Sequence, residues 1–75
     1  MCGGNIIDCN PVQWNGKPAY KLAVLDADPN GSTEREVIIA DHDRKIGPKI
    51  GERVWWQAGE MHFAADRMSV KLLAA

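Results

Sequence analysis

Seventy-five residues, 45% of them apolar and 25% charged, make a single domain near the lower limit at which a hydrophobic core alone holds a fold. That balance excludes a disordered chain and a second domain, and no apolar run approaches the roughly 18 residues of a membrane-spanning helix. The formal net charge of −1 is lopsided: residues 1–43 hold seven acids against three bases, and residues 44–75 hold six bases against three acids.

The opening MCGGNIIDCN has neither a basic leader nor the apolar stretch of a secretion signal, so a cytoplasmic protein is the expectation. Cys2 and Cys9 are the only cysteines; without a secretion signal or a Cys-x-x-Cys pair they read as free thiols, not as a disulfide or zinc site. Asn5 to Gln13 forms the first predicted strand, with Pro11 near its end, where an edge or a bulge tolerates the missing N–H. Asn15-Gly16 signals a hairpin because both residues accept positive φ, and Lys17 and Pro18 are expected to lengthen its loop beyond two residues. The second strand runs from Ala19 to Asp26, with Tyr20, Leu22 and Val24 on one face and Lys21, Ala23 and Leu25 on the other. The stretch DADPNGST, carrying Pro29 and Asn30-Gly31, reads as a loop throughout.

Arg35 to Ala40 is the third strand, and its VIIA segment is apolar on both faces, a pattern of two-sided burial. Gly47, Pro48 and Gly51 break up the connection that follows, leaving room for at most one short helical turn near Asp41 to Lys45. Arg53 to Ala58 and Met61 to Ala64 are the fourth and fifth strands on either side of a turn at Gly59, and Met68 to Leu73 ends the domain. Five or six short strands in one domain over residues 1–75 predict an all-β fold, an antiparallel barrel of SH3-like or OB-like kind.

Trp55 and Trp56 are neighbours on a strand and therefore face opposite ways. The consistent phase sends Val54, Trp56, Met61, Phe63, Met68, Val70 and Leu72 inward. It leaves Ser69 and a candidate ligand-binding set, Arg53, Trp55, Gln57, His62 and Lys71, on one outer face. An indole among two bases and a histidine suits base stacking combined with anion contacts, as on OB-type surfaces, so single-stranded nucleic acid or a small anionic ligand is the partner this face implies. A slip of one residue in register would exchange the two indoles.

Asp26, Asp28 and Asn30, followed by Gly31, repeat the first half of a calcium loop. Position 12 is Val37 where a bidentate Glu belongs, and the flanks are strands, so exposed-hairpin chemistry accounts for these residues equally well. Asp41-His42-Asp43 and His62 are the only histidine neighbourhoods open to metal binding or acid–base work, and a turn after VIIA explains the first without chemistry. No phosphate loop, nucleophile elbow or Cys–His arrangement appears, so no cofactor is implied, and 75 residues enclose a catalytic cleft only with difficulty unless subunits share it. Val37, Ile38 and Ile39, Leu72-Leu73 and the second tryptophan exceed what one small interior holds. The leading expectation is a binding or interaction module that self-associates as a homo-oligomer through apolar strand surface. Ligand binding on the Trp55 face is the second reading, and a small enzyme with a site shared between subunits is the third.

Overall fold

The structure, a computed structural model, describes residues 2–28, 31–41 and 47–74. Six strands follow one another: β1 (Cys2–Trp14), β2 (Lys17–Asp28), β3 (Gly31–Ala40), β4 (Arg53–Gln57), β5 (Glu60–Phe63) and β6 (Ser69–Ala74). All neighbours are antiparallel, and the ring closes in the order β1-β2-β3-β6-β5-β4. Two three-stranded meanders, β1-β2-β3 and β4-β5-β6, are thus joined at both edges. The expected all-β barrel forms with six strands. No described residue is helical, and the helical turn expected near Asp41 to Lys45 falls on residues that, apart from Asp41, lie outside the described set. Among the described residues no helix is long and apolar enough to cross a membrane.

Trp14 pairs directly with Lys17, so the first hairpin loop has two residues, Asn15 and Gly16, with φ of 51° and 78°. The expected lengthening by Lys17 and Pro18 does not occur, because the strand ladder accommodates Pro18. The Pro18 carbonyl faces β3, where it accepts from the Asp41 N–H at 3.4 Å. A strand residue turns its N and its C=O to the same side, and residues two apart repeat that choice. Tyr20 therefore also faces β3, and its partner Pro11 on β1 turns its nitrogen away from β2, toward an edge that no strand borders. A missing N–H costs no ladder bond there.

The loop expected over DADPNGST is corrected: β2 continues to Asp28 and β3 begins at Gly31, with Asp26 opposite Thr33, Ala27 opposite Ser32 and Asp28 opposite Gly31. Turn-forming composition marks where the chain reverses. The ladder registered by Leu22 opposite Val37 then extends to that point, since each further pair joins backbone groups already side by side. β2 has β1 as a neighbour only as far as Leu25, and β3 has β6 only at Ile38 and Ile39. The tip of this hairpin consequently projects past the ring as a two-stranded ribbon, and the molecule measures 38 Å along one axis against 24 and 23 Å along the others.

A register shift between Ile6 and Asp8 leaves Ile7 as the extra residue of a bulge in β1. The bulge lets Ile6 and Cys9, three residues apart, both pack on the core. Ile6 also donates to Glu52 O at 2.9 Å and accepts from Gly51 N at 2.6 Å, which carries the β1–β4 seam into the connection before β4.

The interior holds Ile6, Leu22, Val24, Val37, Ile39 and Val54 together with Trp56, Met61, Phe63 and Val70. Tyr20, Cys9 and Leu72 pack against them at the rim. The phase predicted for β4 and β5 is the one observed. Met68 departs from it: the residue is 44% exposed and precedes β6. Its carbonyl accepts from Phe63 N at 2.9 Å, so it stands opposite an inward residue, but at a level where β6 has no strand on its other side.

Two backbone positions test this arrangement with opposite signs. A Cβ on Gly4 would run into the Leu25 carbonyl, so Gly4→Ala should lower stability by roughly 2 kcal/mol or more. Ala58 sits at φ 55° in the two-residue turn between β4 and β5, so Ala58→Gly should raise stability by about 0.5–1 kcal/mol. Urea midpoints at constant slope measure both, and an unchanged midpoint for either variant contradicts the local geometry.

Candidate binding surfaces

On the outer face of the second meander, register aligns side chains in rows. Trp55 stands opposite His62, and His62 opposite Ser69; the next row is Gln57, Glu60 and Lys71. Arg53 lies one step along β4, opposite Asn5 of β1. The structure thus brings Trp55, Gln57, His62 and Lys71 onto one patch, with Arg53 at its edge.

Trp55 and His62 form a stacked pair, with ring centroids 5.5 Å apart and planes inclined by 14°. The outward indole is half-buried, with a histidine of its own chain against it. On its other side β1 presents Gly3, where a Cβ would come within 2.9 Å of the Trp55 Cβ, so only glycine fits this close approach of β1 to β4. Glu60, opposite Lys71, places a carboxylate in the middle of the patch and dilutes its positive character. Alternation alone puts Glu60 on this face, so its contribution was available from the sequence once the phase was chosen.

A second feature involves a tryptophan that sequence reasoning passed over. Between the β1–β2 hairpin and the β3–β6 seam runs a cleft of about 640 Å³. The hairpin supplies Trp14, Asn15, Lys17 and Pro18, the end of β3 supplies Ala40 and Asp41, and β6 supplies Lys71, Leu72 and Leu73. A two-residue turn places Trp14 and Lys17 opposite each other, which a longer loop would have prevented. The irregular β3–β6 pairing, Ile38 with Ala74 and Ile39 with Leu72, leaves Leu73 unpaired beside the cleft.

The third feature is apolar and open. Ile50 is 69% exposed and Ile7 41%. The hydrogen bond from Gly51 N to Ile6 O joins the two backbone segments that carry these isoleucines. Ala23 and Leu25, both half-buried, continue this surface along the outer face of β2, opposite Asp8 and Asn5.

The remaining candidates are placed as follows. The backbone from Asp26 to Asp28 is an extended strand and does not curl as a calcium loop does; Asn30 lies outside the described residues. His42 is also outside them. Among the described residues no group of three or more His, Cys, Asp or Glu side chains converges as metal ligands would. Cys2 and Cys9 lie on one strand, so their Cα atoms are on the order of 20 Å apart at about 3.3 Å per residue, far beyond disulfide reach. Cys9 is a free thiol. Burial, and then the negative charge of Asp8, push its pKa up. Asp8 also accepts the Cys9 N–H at 2.9 Å and the Asn10 side-chain amide at 3.3 Å.

No protein-family model, curated protein or solved structure matches this chain.

Two measurements probe these sites. His62→Ala should cost about 0.5–1 kcal/mol and shift the tryptophan emission, because it uncovers Trp55 alone; an emission spectrum identical to wild type contradicts the stack. In a Cys2→Ser background, the rate of Cys9 alkylation should climb with pH through a midpoint above that of the same protein unfolded in urea. Adding Asp8→Asn should move that midpoint down and raise the rate at pH near 8 by a factor on the order of two. Coincident folded and unfolded profiles would contradict the burial of this thiol.

Proposed function

We propose that this barrel is an interaction module that pairs with a second copy of itself through the outer apolar surface around Ile7 and Ile50. The observation that carries the reading is the exposure of two isoleucines on segments bonded to each other, beside a barrel interior that its own strands already fill. Neither side chain has an inward destination, because Ile7 is the extra residue of a bulge and Ile50 belongs to a turn bonded to that bulge. Burying an isoleucine fully contributes roughly 1.5–3 kcal/mol, and a two-fold contact counts each residue twice. A stable pair needs about 800 Å² from each partner, which is about a sixth of the 5042 Å² surface of this chain. Ile7, Ile50, Leu25 and Ala23 would form the centre of such a contact, and the polar side chains of Asp8 and Asn5 its rim.

Ligand binding on the outer face of β4, β5 and β6 is a second reading. It is favoured by the flat Trp55–His62 pair, which carries Arg53 and Lys71 at its ends, the arrangement that suits stacking a base or ring beside a negative group. Salt-sensitive changes in Trp55 emission on adding single-stranded oligonucleotides would support it; an unaltered spectrum at tens of micromolar oligonucleotide would remove it.

For the first reading, sedimentation velocity of the whole chain at micromolar concentrations should give the mass of two copies. The double variant Ile7→Glu with Ile50→Lys should give the mass of one, with its strand circular dichroism intact. A wild-type mass of one chain up to hundreds of micromolar would overturn it.

A further inference from the structure

We infer that the cleft beside the β3–β6 seam binds a small aromatic carboxylate. The inference stands apart from self-association, since the described lining of the cleft comes from the β1–β2 hairpin tip, the end of β3 and β6 and includes neither Ile7 nor Ile50. Its volume, about 640 Å³, falls within the ~300–1,000 Å³ typical of small-molecule sites.

The walls decide the body of the ligand. Trp14 on one side and Leu72, Leu73 and Pro18 on the others offer an indole plane and three apolar groups. All but Pro18 are half-buried, held by their own strands with part of their surface still open. A planar apolar group is what such a slot removes from water most completely, with ring stacking on the indole adding about 0.5–1.5 kcal/mol beyond burial.

The rim decides the head. Lys17 from β2 and Lys71 from β6 bring two ammonium groups to the cleft from strands far apart in sequence, against one carboxylate, Asp41, among its described lining residues. Lys21, by contrast, is held by Glu36 at 3.3 Å; among the described residues neither lysine of the cleft is held in this way. Two lysines against one lining carboxylate suit an anion of low charge. Polyanions fit less well, because Asp41 lines the cleft and Glu60 stands across the ladder from Lys71. A lysine pair recognises a carboxylate as point charges without demanding bidentate geometry, so the apolar body sets the pose.

The test uses the ¹⁵N-labelled full chain, whose three indole N–H resonances separate the tryptophans, titrated with 2-naphthoate and with its neutral counterpart 2-naphthamide. The Trp14 resonance should move saturably with naphthoate while those of Trp55 and Trp56 stay in place. Naphthamide should bind roughly fivefold more weakly or worse. Lys17→Gln and Lys71→Gln should each weaken naphthoate by roughly three- to tenfold and leave naphthamide unchanged, while the exposed control Lys49→Gln alters neither. Equal affinity for the two compounds, movement of Trp55 in place of Trp14, or no saturable shift up to millimolar naphthoate would each overturn the inference. Self-association is read separately, from resonances that depend on protein concentration and not on added naphthoate.

Discussion

The seam between β3 and β6 is the contact on which this barrel depends. Only Ile38 with Ala74 and Ile39 with Leu72 pair across it, whereas β1 and β2 share nine paired positions and β2 and β3 share ten. Without that short seam the two meanders are open sheets with unpaired edges and half-covered apolar faces. Its strength therefore comes less from ladder bonds than from side chains that meet behind it, with Val37 and Ile39 from one meander and Val70 and Leu72 from the other joined in the same cluster. The irregularity of the seam also has a consequence outside: Leu73, skipped by the pairing, faces the cleft in which Trp14, Lys17 and Lys71 meet. The place where the ring has its shortest ladder is thus also where its outer surface is hollowed.

A full interior shapes the outside of the molecule. Closing six short strands leaves room for about one layer of large side chains, and that layer is occupied from Ile6 to Val70. Further apolar residues have three fates here. Trp55 lies on the sheet against His62; Trp14, Leu72 and Leu73 line a cleft; Ile7 and Ile50 stand open to solvent. The first is covered in part by its own chain, and the other two leave apolar surface open to solvent.

Because each meander forms one continuous arc of the ring, the two halves of the sequence do not interleave. Among the described residues the excess of acids therefore stays on the first arc. The projecting ribbon carries Asp26, Glu34 and Glu36, with Arg35 between the two glutamates and Lys21 paired to Glu36, an acidic edge that discourages strand addition by an unrelated chain. The other arc is more balanced, since Glu60 and Asp66 offset Arg53, Arg67 and Lys71.

Much of this was legible in the residues, and the reason is the period of two. Alternation of Val54, Trp56, Met61 and Phe63 with Trp55, Gln57, Glu60 and His62 is a local property of an extended backbone, so it predicted which indole enters the core and which residues share the outer face. Asn-Gly chemistry likewise marked the first hairpin, although it could not show that Pro18 fits the ladder, because that depends on which side of β2 its carbonyl faces. The ends of the strands were not legible around Pro29: turn composition locates a reversal, and the neighbouring ladder decides how far pairing runs toward it. The Ile7 bulge, the exposure of Met68 at the rim and the meeting of Trp14 with Lys71 all depend on which strands lie side by side and how far each overlaps the next. The sequence by itself determined the all-β class and the inward phase, since both follow from side chains a few residues apart. Only the tertiary structure decided the closed order of the ring and the surfaces it creates, because those rest on pairings between residues more than thirty positions apart.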